Sequence, residues 1–264
     1  MVISSIVPWW MIGTQRDAKN LEVFFLDVGQ GDAALIVTPD NHRILIDTGK
    51  EDTANIELSK LIPYGENIID AVFISHPQSD HAGDLKNILQ YYRVDSIFIT
   101  APDDISTYNL GLQNDERYHQ LWQSQWVEID DLRVYVLWPN PKVKELESLD
   151  LNYESQILLV EYGDFRILFT GDAEVGDDAL VEYGLNWPNI DVLKTPHHGS
   201  NNAITEEFIS ETTPDVAIIS VGKNSYGHPA GDVLDILHSS GIPILRTDER
   251  GTIHIISDGH NWWL

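Results

Sequence analysis

Two histidines and an aspartate lie together in the stretch 72–85, VFISHPQSDHAGDL, directly after an apolar run. His76, Asp80 and His81 fall within six consecutive residues. Imidazole nitrogens and carboxylate oxygens bind divalent metal ions, and such ions generate a strong nucleophile from water at neutral pH. This segment is therefore a candidate for metal-dependent hydrolytic chemistry.

Polar side chains recur at other places where an apolar run ends. A single histidine after a strand is more often exposed or hydrogen-bonded than a ligand. A whole set at strand ends is more informative, because loops on a rigid scaffold usually carry function. We expect one edge of the fold to collect these positions, which are Gly31-Asp32, Asp47-Thr48-Gly49, Ser75-His76, Gly171-Asp172, Pro196-His197-His198 and Gly227-His228.

The composition limits both the metal and the partners. The chain of 264 residues contains no cysteine, so a metal must be held by nitrogen and oxygen. Zn²⁺ is the leading metal for such ligands, and Mn²⁺ is a serious competitor where carboxylates are numerous. The formal net charge of -26 discourages long-range attraction of nucleic acid or of an anionic membrane. A salt-adapted surface would give the same excess of acid, and an anionic substrate would need local positive charge.

The first 20 residues form a predicted apolar arm. The opening MVISSIVPWWMIG contains Pro8 and is shorter than the roughly 20 apolar residues that span a bilayer. It has no basic segment of the kind that starts a signal peptide. We expect an arm packed on a soluble domain; the alternative is the trimmed remnant of an export or membrane segment.

The elements that must position the candidate ligands alternate between strands and helices. Strands at 21–29, 33–39 and 42–49 form a predicted β-meander, and a β-α-β unit follows. Its helices are 54–65 and 82–92 and its strands are 69–75 and 94–100, whereas 101–130, with Trp122 and Trp126, is predicted irregular. The second half has predicted strands in 131–139, 154–172, 215–222, 243–247 and 251–258 and predicted helices at 174–184, 203–212 and 229–241. This plan predicts one α/β domain of four layers, with two mixed sheets face to face and helices outside.

Several stretches together resemble a known family. They are FLDVGQGDAALIVTPDNHRILIDTG, SHPQSDHAGDL, LLVEYGDFRILFTGDAE, LKTPHHGSNN and SVGKNSYGHPAGDVLDIL. In this order they look like the metallo-β-lactamase-fold domain at the carboxyl end of ComEC-type DNA-uptake competence proteins, and like its free-standing relatives. The resemblance runs from about Leu21 to His254. It implies an αββα sandwich over 21–264 and allows an extracytoplasmic location.

The resemblance also implies a ligand set. The superfamily pattern HxHxDH corresponds here to His76, Gln78, Asp80 and His81, with Gln78 where a histidine or aspartate is expected. Asp80 and His81 should hold one ion together with Asp172 and a histidine of the pair His197 and His198, and His76 should hold the other. An alternative gives His197 to the site of His76 and leaves His198 with Asp80. Because an amide is a weaker ligand, one or two ions per chain are expected, with the ion at Gln78 held more weakly.

Roles follow for the remaining polar residues. Asp172 is expected to bridge the two ions, or to cap the next helix. His228 is expected to steer the substrate or protonate the leaving group, so Asp80, Asp172 and His228 are the predicted catalytic residues; a capping histidine before Pro229 is the alternative for His228. The remaining candidates are Asp27, Asp32 and Asp47, which would orient the ligand imidazoles or merely form turns, and Ser200 and Asn201, which would contact substrate or cap the next helix.

Two classes of function remain open from the sequence. The favoured one is a metal-dependent hydrolase of phosphodiesters, either nuclease-like on single-stranded DNA or acting on a small nucleotide or anionic ester. Tracking along duplex DNA is not expected, because the chain has no basic run. The second class is a catalytically weak metal-binding or regulatory module of the same fold, which Gln78 favours and the retained ligands disfavour.

Overall fold

The computed structural model describes residues 20–100, 110–112, 114–142, 152–175 and 187–264. Two sequence predictions fall outside these ranges. They are the arm over the first 20 residues, of which residue 20 alone is described, and most of the helix at 174–184.

The first sheet contains the predicted meander and the β-α-β unit. Its strands are β1 (Leu21–Phe25), β2 (Ala34–Val37), β3 (Arg43–Ile46), β4 (Ile68–Ile74), β5 (Arg93–Ile99), β6 (Tyr118–His119), β14 (Ile253–Ser257) and β15 (Trp262–Trp263). They lie in the order β15-β14-β1-β2-β3-β4-β5-β6. The three meander strands pair antiparallel, whereas β3, β4 and β5 run parallel, so the prediction for this half is confirmed.

The second sheet repeats the change from antiparallel to parallel pairing. Its strands are β7 (Trp126–Ile129), β8 (Leu132–Trp138), β9 (Ile157–Tyr162), β10 (Phe165–Phe169), β11 (Val192–Lys194), β12 (Val216–Ile219) and β13 (Ile244–Arg246). They lie in the order β13-β12-β11-β10-β9-β8-β7. Strands β7 to β10 pair antiparallel, and β10 to β13 pair parallel.

Three buried apolar clusters show that these elements form four layers. The described helices are α1 (Ala54–Leu61), α2 (Ser79–Ala82), α3 (Leu85–Tyr91), α4 (Glu206–Thr212), α5 (Gly231–Ser239) and α6 (Thr247–Arg250). One cluster lies between the sheets, where Phe25 of β1 stacks on Phe169 of β10 at 5.6 Å. The second joins α1 and α3 to the first sheet, and the third joins α4 and α5 to the second sheet. The predicted αββα sandwich is confirmed.

The helix packing follows from residue spacing. Val233 and Leu237 of α5 are fully buried at positions i and i+4, which place both on one face of the helix. Burial of each such side chain contributes roughly 1.5–3 kcal/mol. None of the described helices has the length and apolar character needed to cross a bilayer.

Two sequence predictions about elements were wrong. The range predicted irregular contains β6 and β7, and β7 pairs antiparallel with β8. The residues of β7 alternate between exposed and half-buried, so this edge strand lacks the apolar run by which buried strands are predicted. Helical structure also begins earlier than predicted after β4, because α2 starts at Ser79 and includes Asp80 and His81.

Candidate metal centre

The first group of ligands follows β4. His76 lies two residues beyond the strand, and His81 lies in the single turn of α2; both side chains are fully buried. Backbone hydrogen bonds fix this turn, since Asp32 N donates to Asp80 O at 3.0 Å and Thr48 N donates to His81 O at 2.6 Å. The loops after β1 and β3 therefore hold the ligand turn in place.

Asp172 is supplied by the other sheet. It follows β10, is 1% exposed, and its N–H donates to Ser155 Oγ at 3.0 Å. Gly171 before it has φ +50°, and a Cβ there would lie 2.1 Å from Ser155 Oγ. Glycine is required at 171 both by the left-handed backbone and by the close approach of the Ser155 side chain.

The histidine pair lies in a tight turn after β11. His197 (φ 45°, ψ 45°) and His198 (φ 53°, ψ 22°) are both left-handed, and Gly199 follows with φ +78°. Left-handed backbone costs a non-glycine residue of order 1–3 kcal/mol, and such strain concentrates at functional sites. His197 N donates to Gly171 O at 3.1 Å, which ties this turn to the loop of Asp172.

The imidazoles converge on the two oxygens of Asp172. Oδ1 lies 3.1 Å from His81 Nε2 and 3.8 Å from His198 Nε2. Oδ2 lies 4.0 Å from His76 Nε2 and 3.8 Å from His197 Nε2. Asp80 Oδ2 approaches His198 Nε2 at 3.7 Å from the side of α2. The carboxylate thus separates two pairs of histidines, each of which contains one residue from either sheet.

The opposite nitrogen of each ring has a partner of its own. His81 Nδ1 lies 2.9 Å from Asp47 Oδ2, and His76 Nδ1 lies 3.1 Å from Ser75 Oγ. His198 Nδ1 lies 2.9 Å from Ser220 O, and His197 Nδ1 lies 3.1 Å from Glu174 Oε1. Contacts at Nδ1 fix the orientation of a ligating imidazole and leave Nε2 for the metal.

This donor set fits a divalent metal. Buried polar atoms are normally hydrogen-bonded, yet four in this cluster have no hydrogen-bond partner: His76 Nε2, His81 Nε2, His198 Nε2 and Asp172 Oδ1. One combination of donor atoms within 4.8 Å of one another comes from His76, His81 and Asp172, and another comes from Asp80, His81 and His198. Nitrogen and oxygen donors of this kind suit zinc and manganese.

The charges of the cluster are unevenly placed. Burial lowers the pKa of His76 to about 3, and the neighbouring His81 adds to the effect. Burial also opposes the charged form of His198, but the Asp172 and Asp32 carboxylates outweigh it and raise the pKa to about 9. Burial would raise the pKa of Asp172, but His81 and His198 hold it well below its ordinary value. Burial also opposes the charged form of His81, but Asp172 and Asp47 raise its pKa well above the ordinary value. A metal ion binds deprotonated imidazoles, so metal binding at these nitrogens competes with protons.

A buried lysine supports the cluster from β11. The side chain of Lys194 is 3% exposed, and its ammonium contacts the carboxylate of Asp32, which is 8% exposed. Asp32 Oδ1 in turn lies 3.3 Å from His198 Nδ1. Burial opposes the charge on Asp32, but Lys194 and His198 lower its pKa to about 2. Lys194 is not among the predicted site residues, although a lysine in an otherwise apolar strand is itself a signal of a buried partner.

The three acids expected to orient the ligands lie in different environments. Asp47 accepts hydrogen bonds from Ser75 N at 2.7 Å and Ser75 Oγ at 2.8 Å in addition to its contact with His81. Asp32 and Asp47 are both buried. Asp27 is exposed, and its carboxylate accepts from Gly29 N at 3.4 Å, which matches the turn-forming alternative.

Gln78 is half-buried at the start of α2 and lies close enough to His76 to affect the pKa of that imidazole. Its amide nitrogen donates to Asn152 Oδ1 at 2.7 Å. Gln78 is the N-cap residue of α2, so Asp80 lies inside the helical turn rather than at its cap.

His228 lies beside the centre. Its ring is 5.5 Å from that of His197, and its buried Nδ1 has no hydrogen-bond partner. Burial lowers the pKa of His228, and the neighbouring His197 and His198 lower it further. A cis peptide bond joins His228 to Pro229, and the N-cap residue of α5 is Ala230.

Ser200 and Asn201 differ in their surroundings. Ser200 is buried, and its Oγ donates to Glu174 Oε1 at 2.9 Å, whereas Asn201 is exposed. The cap of the next helix, α4, is Thr205, which accepts from Phe208 N. Glu174 links Ser200 to His197; it is not among the predicted site residues, although it lies two residues after Asp172.

Comparisons with known proteins identify the fold. The sequence profile of the metallo-beta-lactamase superfamily matches residues 26–151. The crystal structure of the metallo-beta-lactamase fold protein YhfI from Bacillus subtilis superposes with a TM-score of 0.62 at 12% identity, over 90% of this chain and 100% of that one. The chain is a metallo-β-lactamase-fold protein. Proteins of this fold include metal-dependent hydrolases, and the fold binds divalent metals.

Two curated relatives of this metallo-β-lactamase-fold chain are bacterial proteins. ComE operon protein 3 of Bacillus subtilis (strain 168) is 32% identical over 88% of this chain and 32% of its own length. Competence protein ComA of Neisseria gonorrhoeae is 31% identical over 86% of this chain and 31% of its own length. The chain therefore spans about a third of the length of these relatives.

Proposed function

We propose that this protein is a metal-dependent hydrolase of phosphodiesters, acting on single-stranded nucleic acid or on a small nucleotide ester. One observation carries the proposal. Histidine Nε2 atoms from both sheets converge on Asp172, and each of these rings is held at Nδ1 by a separate partner. Such an arrangement leaves the metal-binding nitrogens free and their directions fixed.

The division of ligands follows from the two oxygens of Asp172. His81 and His198 face Oδ1 and would hold one ion, together with Asp80, which contacts His198. His76 and His197 face Oδ2 and would hold the other ion, with Gln78 near His76. This supports the alternative in which the two histidines of the pair serve different ions. When bound, a pair of Zn²⁺ or Mn²⁺ ions supplies Lewis acidity for a phosphoryl oxygen and makes water nucleophilic at neutral pH.

The protein residues supply orientation and charge. Asp47 and Ser75 fix the ring of His81, and Lys194 compensates the buried carboxylate of Asp32 behind His198. His228 lies beside His197, with the two rings 5.5 Å apart, and its imidazole is proposed to hydrogen-bond with a substrate oxygen or leaving group. Asp80, Asp172 and His228 remain the proposed catalytic residues, with Ser200 and Asn201 proposed to lie at the substrate side.

The substrate class rests on the relatives and on charge. A competence protein among the relatives favours a nucleic-acid substrate. A formal charge of -26 disfavours a long polyanion held by electrostatics alone. A short unpaired strand or a nucleotide that binds mainly at the metal centre is consistent with both the relative and the charge.

Elemental analysis followed by a phosphodiester assay tests the proposal. Wild type, Asp172→Asn and Asp164→Asn would be dialysed, analysed for metal and assayed on bis(p-nitrophenyl) phosphate with and without added Mn²⁺ or Zn²⁺. Asp164 is the matched control, since it is an exposed acid in the β9–β10 turn that contacts His260. We expect metal affinity and turnover of Asp172→Asn to be at least about 100-fold lower than those of wild type. Asp164→Asn should behave as wild type.

The alternatives give different results. If metal-loaded wild type leaves the diester intact but hydrolyses a thioester or a lactam, the proposed phosphodiester substrate is wrong and the compound that is hydrolysed gives the substrate class. Bound metal with no hydrolysis of any of these compounds would favour the binding or regulatory module. Equal turnover in Asp172→Asn and wild type would refute the assignment of the centre.

A further inference from the structure

An exposed tyrosine lies on a well-fixed loop beside the centre. Tyr226 lies between β12 and α5 and is 75% exposed. Asn224 pins the loop: its Oδ1 accepts from the N–H groups of Tyr226, Gly227 and His228 at 3.0, 3.0 and 3.1 Å. Its Nδ2 donates to Gly222 O at 2.9 Å and His228 O at 2.8 Å. The backbone that carries Tyr226 is therefore fixed although the loop has no regular structure.

A row of rings connects Tyr226 to the metal ligands. The Tyr226 ring lies 5.7 Å from that of His228 with an interplanar angle of 33°. The His228 ring lies 5.5 Å from that of His197, whose Nε2 is 3.8 Å from Asp172 Oδ2. The exposed aromatic ring thus lies two ring contacts away from a ligand of the centre.

The same loop carries positive charge. Lys223 is exposed one residue before Asn224, in a chain with 16 basic and 42 acidic residues. A cation on the loop that carries His228 reduces local repulsion of a phosphate, and it does so without the long basic track that duplex binding needs.

We infer that Tyr226 stacks on an unpaired nucleobase of the substrate and makes the centre selective for nucleotide diesters over simple ones. This rests on the proposed phosphodiesterase function. A tyrosine face accepts any base, and such stacking contributes about 5- to 150-fold in affinity by alanine substitution. Bases in a duplex are already paired and stacked, so the platform favours single strands.

Two esters with the same leaving group separate stacking from hydrolysis. Thymidine 5′-(p-nitrophenyl phosphate) carries a base, and methyl p-nitrophenyl phosphate carries none. For Tyr226→Ala we expect the KM of the thymidine ester to rise about 5- to 150-fold, with the methyl ester unchanged. Tyr226→Phe should retain the wild-type KM, because the ring face is kept. Tyr64→Ala, at a tyrosine that is fully exposed in the loop after α1, is the matched control.

Binding provides a second measurement that needs no turnover. Anisotropy of a fluorescein-labelled phosphorothioate oligothymidylate should show weaker binding to metal-loaded Tyr226→Ala than to wild type, Tyr226→Phe or Tyr64→Ala. Should wild type hydrolyse neither ester, the proposed function fails and the anisotropy alone decides the stacking. An unchanged KM and unchanged binding in Tyr226→Ala, an equal loss on both esters, or no binding by wild type would each overturn the inference.

Discussion

Replacing Lys194 with methionine should destabilise the metal-free protein strongly. The substitution keeps most of the apolar stem and removes the ammonium that contacts Asp32, where the two side chains are 3% and 8% exposed. Breaking a buried ion pair by removing one partner costs about 3–5 kcal/mol, because it leaves an uncompensated charge. His198 Nδ1, 3.3 Å from Asp32 Oδ1, offers partial compensation, so the lower end of this range is expected.

A surface pair sets the scale for comparison. Lys60 contacts Glu57 with the lysine side chain 59% exposed, and exposed pairs contribute about 0–1 kcal/mol. For a domain of this size each kcal/mol corresponds to about 2–4 °C in the thermal midpoint. Lys194→Met should therefore lower the midpoint by roughly 6–12 °C, and Lys60→Met by about 4 °C at most.

Circular dichroism melts in chelator, supported by urea unfolding, measure the effect. The double variant Asp32→Asn/Lys194→Met should recover much of the loss, because the amide removes the unpaired charge. A Lys194→Met midpoint no lower than that of Lys60→Met would refute the reasoning that Lys194 compensates a buried carboxylate. Failure of the double variant to recover would show that the loss comes from packing instead.

Three further outcomes are expected. Asp80→Ala should lower the metal content while the melting midpoint in chelator changes by the equivalent of less than about 1 kcal/mol, because the carboxylate faces His198 and does not cap α2; full metal content with a lowered midpoint would contradict this. Gln78→Asp should make the second ion resist chelator, measured by elemental analysis after dialysis; identical loss from variant and wild type would exclude Gln78 from that site. The hydrogen bond to Asp70 raises the pKa of His42 against the opposing effect of burial, so the stabilisation from this pair is present below pH 6.5 and is lost as pH rises through the raised pKa. Urea unfolding at about pH 5.5 and about pH 9 should show that His42→Gln lacks the part of the difference in unfolding free energy that the pair contributes in wild type. An equal difference in variant and wild type would contradict this.

The sequence predicts the fold and most of the centre for a physical reason. Apolar runs identify buried strands, and the ligands lie just after them, so the ends of β4, β10 and β11 could be located without coordinates. The acids are harder to separate. Asp27, Asp32 and Asp47 all follow apolar strands, yet Asp27 is exposed while the other two are buried against histidines or lysine, and this depends on the packing of the two sheets.

The supporting residues could not be predicted from periodicity. Ser75, Ser155 and Glu174 act through individual side-chain hydrogen bonds to histidine, to Asp47 or to the backbone of Asp172, and such contacts have no repeat in the sequence. Lys194 is the last residue of the short strand β11, whose other two residues are apolar. The division of the two histidines between the oxygens of Asp172 depends on the left-handed backbone at His197 and His198. Of the residue types in PHHG, glycine alone favours such a backbone, and it stands at 199.

The supply of ligands by both sheets links metal concentration to folding. His76 and His81 come from the first sheet, and Asp172 and His198 come from the second, so an ion that needs both groups binds the docked sheets and not the unfolded chain. By mass action, free ion at 100 times its dissociation constant adds about 2.7 kcal/mol to the free energy of unfolding. The thermal midpoint measured against free ion concentration is therefore a titration of the ion, and metal affinity can be obtained from stability alone, without a substrate.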